Sequence, residues 1–167
     1  MYRSIAPAGL LLLLAACSST PPATVGASSI PTVTAAAPSA LSTTRIDQLN
    51  RELAARSVYF SYDAFSIDSK FESVIRKNVE LVKAVPGVSL VLEGNTDERG
   101  SSEYNLALGQ KRADVIRKSL TLQGVSEAQI EAISLGKEKP MAACQDESCW
   151  SQNRRVDFVV KPVASRK

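Results

Sequence analysis

The segment spanning residues 91–115 concentrates residue types that bind small charged molecules. Its sequence is VLEGNTDERGSSEYNLALGQKRADV, in which Asp97 follows an apolar run and Arg112 comes fifteen residues later. Ser101 predicts the start of a helix on which Arg112 shares one face with Asn105. A carboxylate pairs with an ammonium group, and a guanidinium pairs with a carboxylate through two parallel hydrogen bonds. Asp97 and Arg112 therefore predict a site that holds a zwitterion.

The spacing of apolar residues predicts the elements that position this pair. We predict strands over residues 57–62, 88–92, 130–135 and 156–161, and helices over residues 68–84 and 101–122. Asp68 or Ser69 is suited to cap the first helix, and Gly124 to end the second. The buried stripe predicted for the second helix is Leu106, Gly109, Ala113, Ile116 and Leu120. The order β-α-β-α-β-β predicts an α+β domain in which the helices pack on a sheet.

Four motifs occur in order between Val58 and about Pro162. They are VYFSYDAFSI at residues 58–67, EGNTDERGSSEYNLALGQKRA at 93–113, SLGKEKP at 134–140 and NRRVDFVV at 153–160. Together they resemble the OmpA-like peptidoglycan-binding domain family, and the resemblance implies a mixed four-stranded sheet in the order 1-4-2-3. The chain departs from the family pattern at Asn95, where many relatives have histidine. It also departs in CQDESC at residues 144–149, which places two cysteines in a loop that often has none.

The resemblance also implies a ligand and partners. The implied ligand is the meso-diaminopimelate of the peptidoglycan stem peptide, whose free end carries an amine and a carboxylate on one carbon. The implied partners are TolB and other Tol proteins, and the implied role is an anchor between outer membrane and cell wall that serves envelope integrity and cell division. The residues expected to bind the ligand are Asp63, Asp97, Arg99, Asn105, Leu108, Arg112 and Arg155.

Several of these residues also have an interpretation that involves no ligand. Asp63 and Asp97 fit turns, where aspartate bonds its own backbone, and Asp97 also fits a cap of the helix over residues 101–122. Arg112 fits a solvated helix face with its aliphatic stem along apolar surface. Arg154 and Arg155 precede the last strand, where they border the predicted pocket or form a plain surface pair. The sequence leaves these alternatives open.

The N-terminal residues predict a lipoprotein signal. Arg3 precedes an apolar run from Ile5 to Ala16 that is too short to span a bilayer. The run ends in LAAC, which resembles the lipobox of bacterial lipoproteins and implies cleavage before Cys17 and acylation of this cysteine. By the same resemblance, Ser18 implies sorting to the outer membrane. An ordinary secretory signal with a chance cysteine is the alternative.

The composition along the chain predicts three segments. Residues 1–16 form the signal, residues 17–44 the lipidated cysteine and a flexible Ser/Thr/Ala/Pro tether, and residues 45–167 the binding domain. Within the domain, Cys144 and Cys149 enclose four residues, so a disulfide is expected in an oxidising compartment, with two free thiols as the alternative. A CxxxxC pair without further ligands is a poor zinc site, and we expect no metal.

Composition also disfavours several classes of function. Lys and Arg number 20 and Asp and Glu 17, and they are interspersed, unlike the basic patch of a nucleic-acid-binding protein. The sequence contains no histidine, which rules out His-based triads and His-ligated zinc sites. We therefore expect neither enzymatic activity nor a cofactor. Two alternatives to a Tol-associated anchor stay open: an OmpA-like anchor lipoprotein of a motor or secretion system, and a peptidoglycan-processing enzyme.

Overall fold

The computed structural model describes residues 43–163. The predicted signal over residues 1–16, the predicted lipidation site Cys17 and residues 18–42 of the predicted tether lie outside the described residues. The described part contains no helix with the length and apolar character needed to cross a membrane.

Within the described residues, four strands form one mixed sheet. They are β1 (Val58–Tyr59), β2 (Val88–Asn95), β3 (Ile130–Gly136) and β4 (Arg155–Pro162). The order across the sheet is β1-β4-β2-β3, with β4 antiparallel to both of its neighbours and β2 parallel to β3. The α+β class, the mixed four-stranded sheet and the strand order are therefore confirmed.

Four α-helices accompany the sheet in residues 43–163: α1 (Thr43–Ala54), α2 (Glu72–Lys83), α3 (Ser102–Leu122) and α4 (Glu147–Asn153). A 3₁₀ turn over Ser69–Phe71 leads into α2, and the Asp68 side chain caps this turn. Ser101 caps α3 in the same way, and Gly124 follows the helix with a φ of +86°. The helices predicted over residues 68–84 and 101–122 are confirmed, whereas α1 and α4 were not predicted.

The first strand is much shorter than predicted. Residues 57–62 alternate as a strand, but only the two residues of β1 pair with β4. The chain then turns away, because the carbonyl groups of Ser61 and Ala64 accept hydrogen bonds from the Arg112 side chain at 3.1 and 2.8 Å. Asp63, between them, adopts a left-handed conformation with a φ of 52°. A contact from α3 therefore holds the turn that ends the strand.

Helix α1 covers an edge of β4 that the short β1 leaves open. The Asn50 side chain donates to the Val160 carbonyl at 3.1 Å and accepts from the Val160 amide at 2.7 Å, so it replaces a strand neighbour. The apolar residues that attach α1 to the core are Ile46, Leu49 and Leu53. Their spacing of three and four residues is the signal that identifies this helix in the sequence.

The hydrophobic core lies between the helices and the sheet. Its β2 residues are Val88, Leu90 and Leu92, and its α3 residues are Ala113, Ile116 and Leu120. The prediction that Leu106 belongs to the buried stripe of α3 is wrong, because this side chain is 46% exposed and Leu108 is buried instead. Leu106 lies over Gly136, the last residue of β3, where the sheet ends.

Two glycines allow α3 to lie directly on β2. A Cβ atom on Gly94 would overlap the carbonyl oxygen of Gly109. A Cβ atom on Gly109 would overlap the Ser134 hydroxyl and come within 2.8 Å of the Gly94 carbonyl oxygen. Because of this close approach, Arg112 reaches the end of β2, where its Nη1 donates to the Asn95 carbonyl at 2.9 Å.

Candidate functional site

A cavity of about 230 Å³ opens at the end of β2, beside the start of α3 and the turn after β1. The residues that line it are Tyr62, Asp63, Thr96, Asp97, Arg99, Gly100, Tyr104, Asn105, Leu108 and Arg112. Six of the seven residues expected to bind a ligand are among these ten. The structure therefore brings together the β1 turn, the loop after β2 and one face of α3, as the sequence motifs indicated.

Asp97 is only 4% exposed, and its carboxylate is surrounded by donors. Its Oδ1 accepts from the backbone amide and from Nε of Arg99, both at 3.2 Å. Its Oδ2 accepts from Nη2 of Arg99 at 2.6 Å and from Nη1 of Arg154 at 3.3 Å. A carboxylate offers about four acceptor positions, so Arg99 and Arg154 use essentially all of them.

These contacts decide both the charge and the local role of Asp97. Burial disfavours the charged form, but the hydrogen bonds from Arg99 and Arg154 outweigh burial and lower the pKa of the Asp97 carboxyl. The bond from the Arg99 amide is the turn interaction that was one alternative for this residue. The other alternative, a cap of α3, is wrong because Ser101 is the cap.

Arg112 is fully buried, so the alternative of a solvated helix residue is wrong. Its Nε, Nη1 and Nη2 donate to the backbone carbonyls of Ala64, Asn95 and Ser61, at 2.8, 2.9 and 3.1 Å. Each terminal nitrogen carries two N–H groups, and within residues 43–163 each makes one hydrogen bond. Burial and the neighbouring Arg154 charge lower the pKa of Arg112 to about 10, which leaves the guanidinium protonated at neutral pH.

Asp63 lies at the rim of the cavity in the left-handed conformation, which aspartate tolerates better than most residues. Its carboxylate accepts a hydrogen bond from the Tyr104 hydroxyl, and this bond raises the pKa of Tyr104. No other hydrogen bond to the Asp63 side chain occurs within residues 43–163. The Asp63 carboxylate therefore keeps free acceptor positions, unlike that of Asp97.

Arg99 stands between two aromatic rings. Its Cζ lies 4.1 Å from the centre of the Tyr62 ring and 4.0 Å from the centre of the Trp150 ring. The hydrogen bond to Asp97 raises the pKa of Arg99, and the backbone carbonyl of Arg99 accepts from Nδ2 of Asn105 at 2.8 Å. Arg99 thus joins the loop after β2 both to α3 and to α4.

The seventh expected residue, Arg155, lies outside the cavity. It is buried and pairs with Asp157 at 2.9 Å. Its neighbour Arg154, which is 4% exposed, is the arginine that reaches Asp97. Successive side chains point to opposite sides where β4 begins, so adjacent arginines have different surroundings. Neither of them belongs to a surface pair.

Four of the lining residues were not predicted: Tyr62, Thr96, Gly100 and Tyr104. All four lie within the first two sequence motifs, but their types gave no chemical reason to single them out. Thr96 is 3% exposed, and its hydroxyl has no hydrogen-bond partner among the residues that the structure describes. A polar ligand group in the cavity would satisfy this hydroxyl.

Cys144 and Cys149 are joined by a disulfide, with their Cα atoms 5.5 Å apart. Their sulfur atoms and the Asp146 carboxylate lie within 4.8 Å of one another. Metal ions bind cysteine as the thiolate, and the two sulfurs here bond each other instead. The arrangement of these three residues is therefore that of a structural loop.

Comparisons of sequence identify relatives. The chain matches the OmpA family over residues 59–154. The peptidoglycan-associated lipoprotein of Pseudomonas putida is 45% identical over 113 residues, which cover 66% of this chain and 68% of that protein. That of Pasteurella multocida is 41% identical over 100 residues, which cover 60% of this chain and 67% of that protein.

Comparisons of structure agree with these matches. The crystal structure of the peptidoglycan-associated lipoprotein from Burkholderia pseudomallei is 51% identical, has a TM-score of 0.61, and is matched over 64% of this chain and 90% of that chain. The periplasmic domain of Helicobacter pylori MotB is 22% identical, has a TM-score of 0.57, and is matched over 64% of this chain and 71% of that chain. At this identity the match shows only that the two share a fold. The chain therefore belongs to the OmpA family and is similar to peptidoglycan-associated lipoproteins.

Proposed function

We propose that this protein is an outer-membrane lipoprotein that binds peptidoglycan non-covalently and so tethers the outer membrane to the cell wall. The names of its relatives support the proposal, since the proteins from Pseudomonas putida and Burkholderia pseudomallei are called peptidoglycan-associated lipoproteins. The LAAC sequence followed by Ser18 supports a lipid anchor on Cys17 and the location in the outer membrane.

The proposed binding site rests on the charged groups that line the cavity. The buried Arg112 guanidinium, which has two N–H groups without a partner within residues 43–163, lines the same small cavity as two carboxylates. The free end of meso-diaminopimelate carries a carboxylate and an ammonium group on one carbon. In the proposed complex Arg112 donates to the ligand carboxylate, while Asp63 and Asp97 face the ammonium group.

The two carboxylates have different parts in this proposal. Asp97 acts mainly through its charge, because Arg99 and Arg154 already occupy its acceptor positions. Asp63 has open acceptor positions and is better suited to direct hydrogen bonds with the ammonium group. The unpartnered Thr96 hydroxyl adds a further polar contact for the stem peptide.

The proposal includes membership of the Tol-Pal system, with TolB and other Tol proteins as partners and a role in envelope integrity and cell division. These partners follow from the family resemblance. Exposed aromatic side chains at the cavity support a protein partner that overlaps the ligand site, since Tyr62 is 62% and Tyr104 50% exposed.

Binding to purified sacculi tests the site. We expect Asp97→Ala and Arg112→Ala each to weaken binding by ~2–4 kcal/mol, because each removes one member of a set of mutually compensating buried charges. The two losses are expected to be non-additive, since one ligand spans both residues. Arg117→Ala is the matched control, because this residue lies on the same helix with a 39% exposed side chain.

Thermal unfolding must show that the variants are folded at the binding temperature, since Arg112 also holds the turn after β1. Undiminished sacculus binding by a folded Asp97→Ala variant would contradict the proposed site.

A second comparison uses stem peptides with lysine in place of diaminopimelate. These peptides lack the carboxylate for Arg112 and are expected to bind more weakly. Release of soluble fragments from sacculi by the protein would instead favour a peptidoglycan-processing enzyme.

A further inference from the structure

Helix α4 contacts the site from outside the cavity. Trp150 does not line the cavity, yet its ring covers one face of the Arg99 guanidinium at 4.0 Å. Its indole Nε1 donates to Oε1 of Glu98 at 3.1 Å. From the first turn of the same helix, the Glu147 carboxylate pairs with Arg154 and lies 3.9 Å from Nη2 of Arg99. Trp150 therefore contacts Arg99, and Glu147 contacts both Arg99 and Arg154, the two arginines that donate to Asp97.

These contacts restrict side chains that are otherwise free to move. An arginine side chain has many rotamers, and ordering it costs conformational entropy. The Trp150 ring and the Tyr62 ring both contact the Arg99 guanidinium and so restrict its movement, while its Nε and Nη2 donate to the two oxygens of Asp97. Glu147 similarly restricts Arg154, because it accepts from Nη1, the nitrogen that also donates to Asp97, and from Nη2. The direction of the Asp97 carboxylate in the cavity thus depends on α4.

The helix itself cannot be stable through its own hydrogen bonds. It has only seven residues, ESCWSQN, far below the length at which isolated helices persist in water. Three features hold it in place. Asp146 caps its first turn, the Asn153 side chain binds the backbone of residues 141 and 142, and the Cys144–Cys149 disulfide closes the chain around its start.

We propose that Trp150 and Glu147 are positioning residues for the ligand site and that the Cys144–Cys149 disulfide, one of the three features that hold α4, is required to keep them in place. The oxidised protein then binds its ligand more tightly than the reduced protein. This inference rests on the proposed function, because it concerns the same site. It makes the affinity for the cell wall depend on the oxidation state of a loop that does not line the cavity.

The reductant for the test is dithiothreitol. It transfers two electrons and two protons to the disulfide, so that Cys144 and Cys149 become thiols while dithiothreitol is oxidised to its cyclic disulfide. A double variant, Cys144→Ser with Cys149→Ser, represents the open loop without any reductant. Both forms are compared with the oxidised full-length chain, purified in mild detergent.

Binding is measured with purified sacculi and with a soluble stem tripeptide that ends in meso-diaminopimelate. We expect the reduced protein, the double serine variant and Trp150→Ala each to bind roughly three- to tenfold more weakly, the scale of losing a cation–π contact and part of the order around it. Trp150→Phe keeps a ring over Arg99 and is expected to recover most of the affinity. Gln152→Ala, at an exposed position of α4, is the matched control and is expected to bind like the wild type.

A spectroscopic readout separates positioning from general stability. Trp150 is the one tryptophan in the sequence, so its emission reports α4 directly. We expect its emission maximum to shift to longer wavelength on reduction, without ligand and at a temperature where the domain stays folded. An unchanged maximum, or equal affinity of the oxidised, reduced and Trp150→Ala forms, would overturn the inference. Failure of the oxidised wild type to bind sacculi would contradict the proposed function, and the inference with it.

Discussion

At the scale of single residues, Asp97 and Arg112 keep their charges in buried surroundings by different means. Asp97 accepts from the guanidinium groups of Arg99 and Arg154, whereas Arg112 donates to backbone carbonyl groups. An unpaired buried charge is strongly unfavourable, so each arrangement stabilises both the fold and the site. The same contacts make the substitution of either residue a test of stability as well as of binding.

The depressed pKa of Asp97 predicts how the stability of the domain depends on pH. A carboxyl whose pKa is lower in the folded than in the unfolded chain stabilises the fold above its unfolded pKa, about 3.9, and loses this contribution as the pH falls through its folded pKa. We therefore expect the wild type to have a larger free energy of unfolding than Asp97→Asn, with the greatest difference near neutral pH. This difference is expected to shrink below about pH 4.

Urea unfolding of both proteins between neutral pH and about pH 2 measures this difference. Asp114→Asn controls for the loss of an acid in general, because the Asp114 side chain is 41% exposed. If the difference in free energy of unfolding between wild type and Asp97→Asn stays constant across the acid range, protonation of the Asp97 carboxylate is not coupled to folding.

Sequence reasoning found the residue types of the site but not their partners. The second motif contains the expected acid and arginine, and both line the cavity. Arg154 comes from a segment 57 residues further along, and two of the carbonyls that hold Arg112 come from the turn after β1. Only the sheet order brings these segments together. For the same reason, sequence alone did not distinguish Arg154 from Arg155.

At the scale of elements, the contact between Gly94 and Gly109 sets the distance between α3 and β2. Replacing glycine by alanine inside a helix normally stabilises it by ~1 kcal/mol. We expect the opposite for Gly109→Ala, a loss of more than ~2 kcal/mol, because the new methyl group meets the Ser134 hydroxyl and the Gly94 carbonyl. Because α3 would be displaced from β2, sacculus binding through Arg112 is expected to fall as well.

Chemical denaturation of Gly109→Ala measures this effect. Ala107→Gly, at an exposed position of the same helix, is the control and is expected to cost only the ~1 kcal/mol of helix propensity. If Gly109→Ala were more stable than the wild type, the helix would have room to move and the close approach would not be required.

The two helices that were not predicted from the sequence, α1 and α4, differ in what holds them in place. The apolar residues of α1 have a helical spacing, so this helix could be predicted, although its contact with β4 depends on β1 being short. Helix α4 has no apolar stripe, and it is held by a disulfide and by side chains from other segments. Local sequence carries little information about such a helix.

At the scale of the whole molecule, the proposed role requires an anchor as well as a site. The LAAC sequence predicts that Cys17→Ser leaves an unlipidated and poorly processed precursor, because the serine hydroxyl is not acylated in place of the thiol. Partitioning between aqueous and detergent phases measures the loss, with the wild type as the reference. Wild-type partitioning of Cys17→Ser would count against the lipid anchor, whereas sacculus binding is expected to survive in this variant.

The proposed tether would carry force, and the attachment of α1 to β4 determines how this force enters the domain. Any pull on the residues before Thr43 enters the described domain through α1, whose Asn50 holds the backbone of Val160 by two hydrogen bonds. Strand β4 pairs with nearly the whole of β2 in an antiparallel ladder, so force on β4 is transmitted to β2. Strand β2 ends at the cavity. In the proposed tether, the two central strands thus connect the end of the domain nearest the proposed anchor to the proposed ligand site.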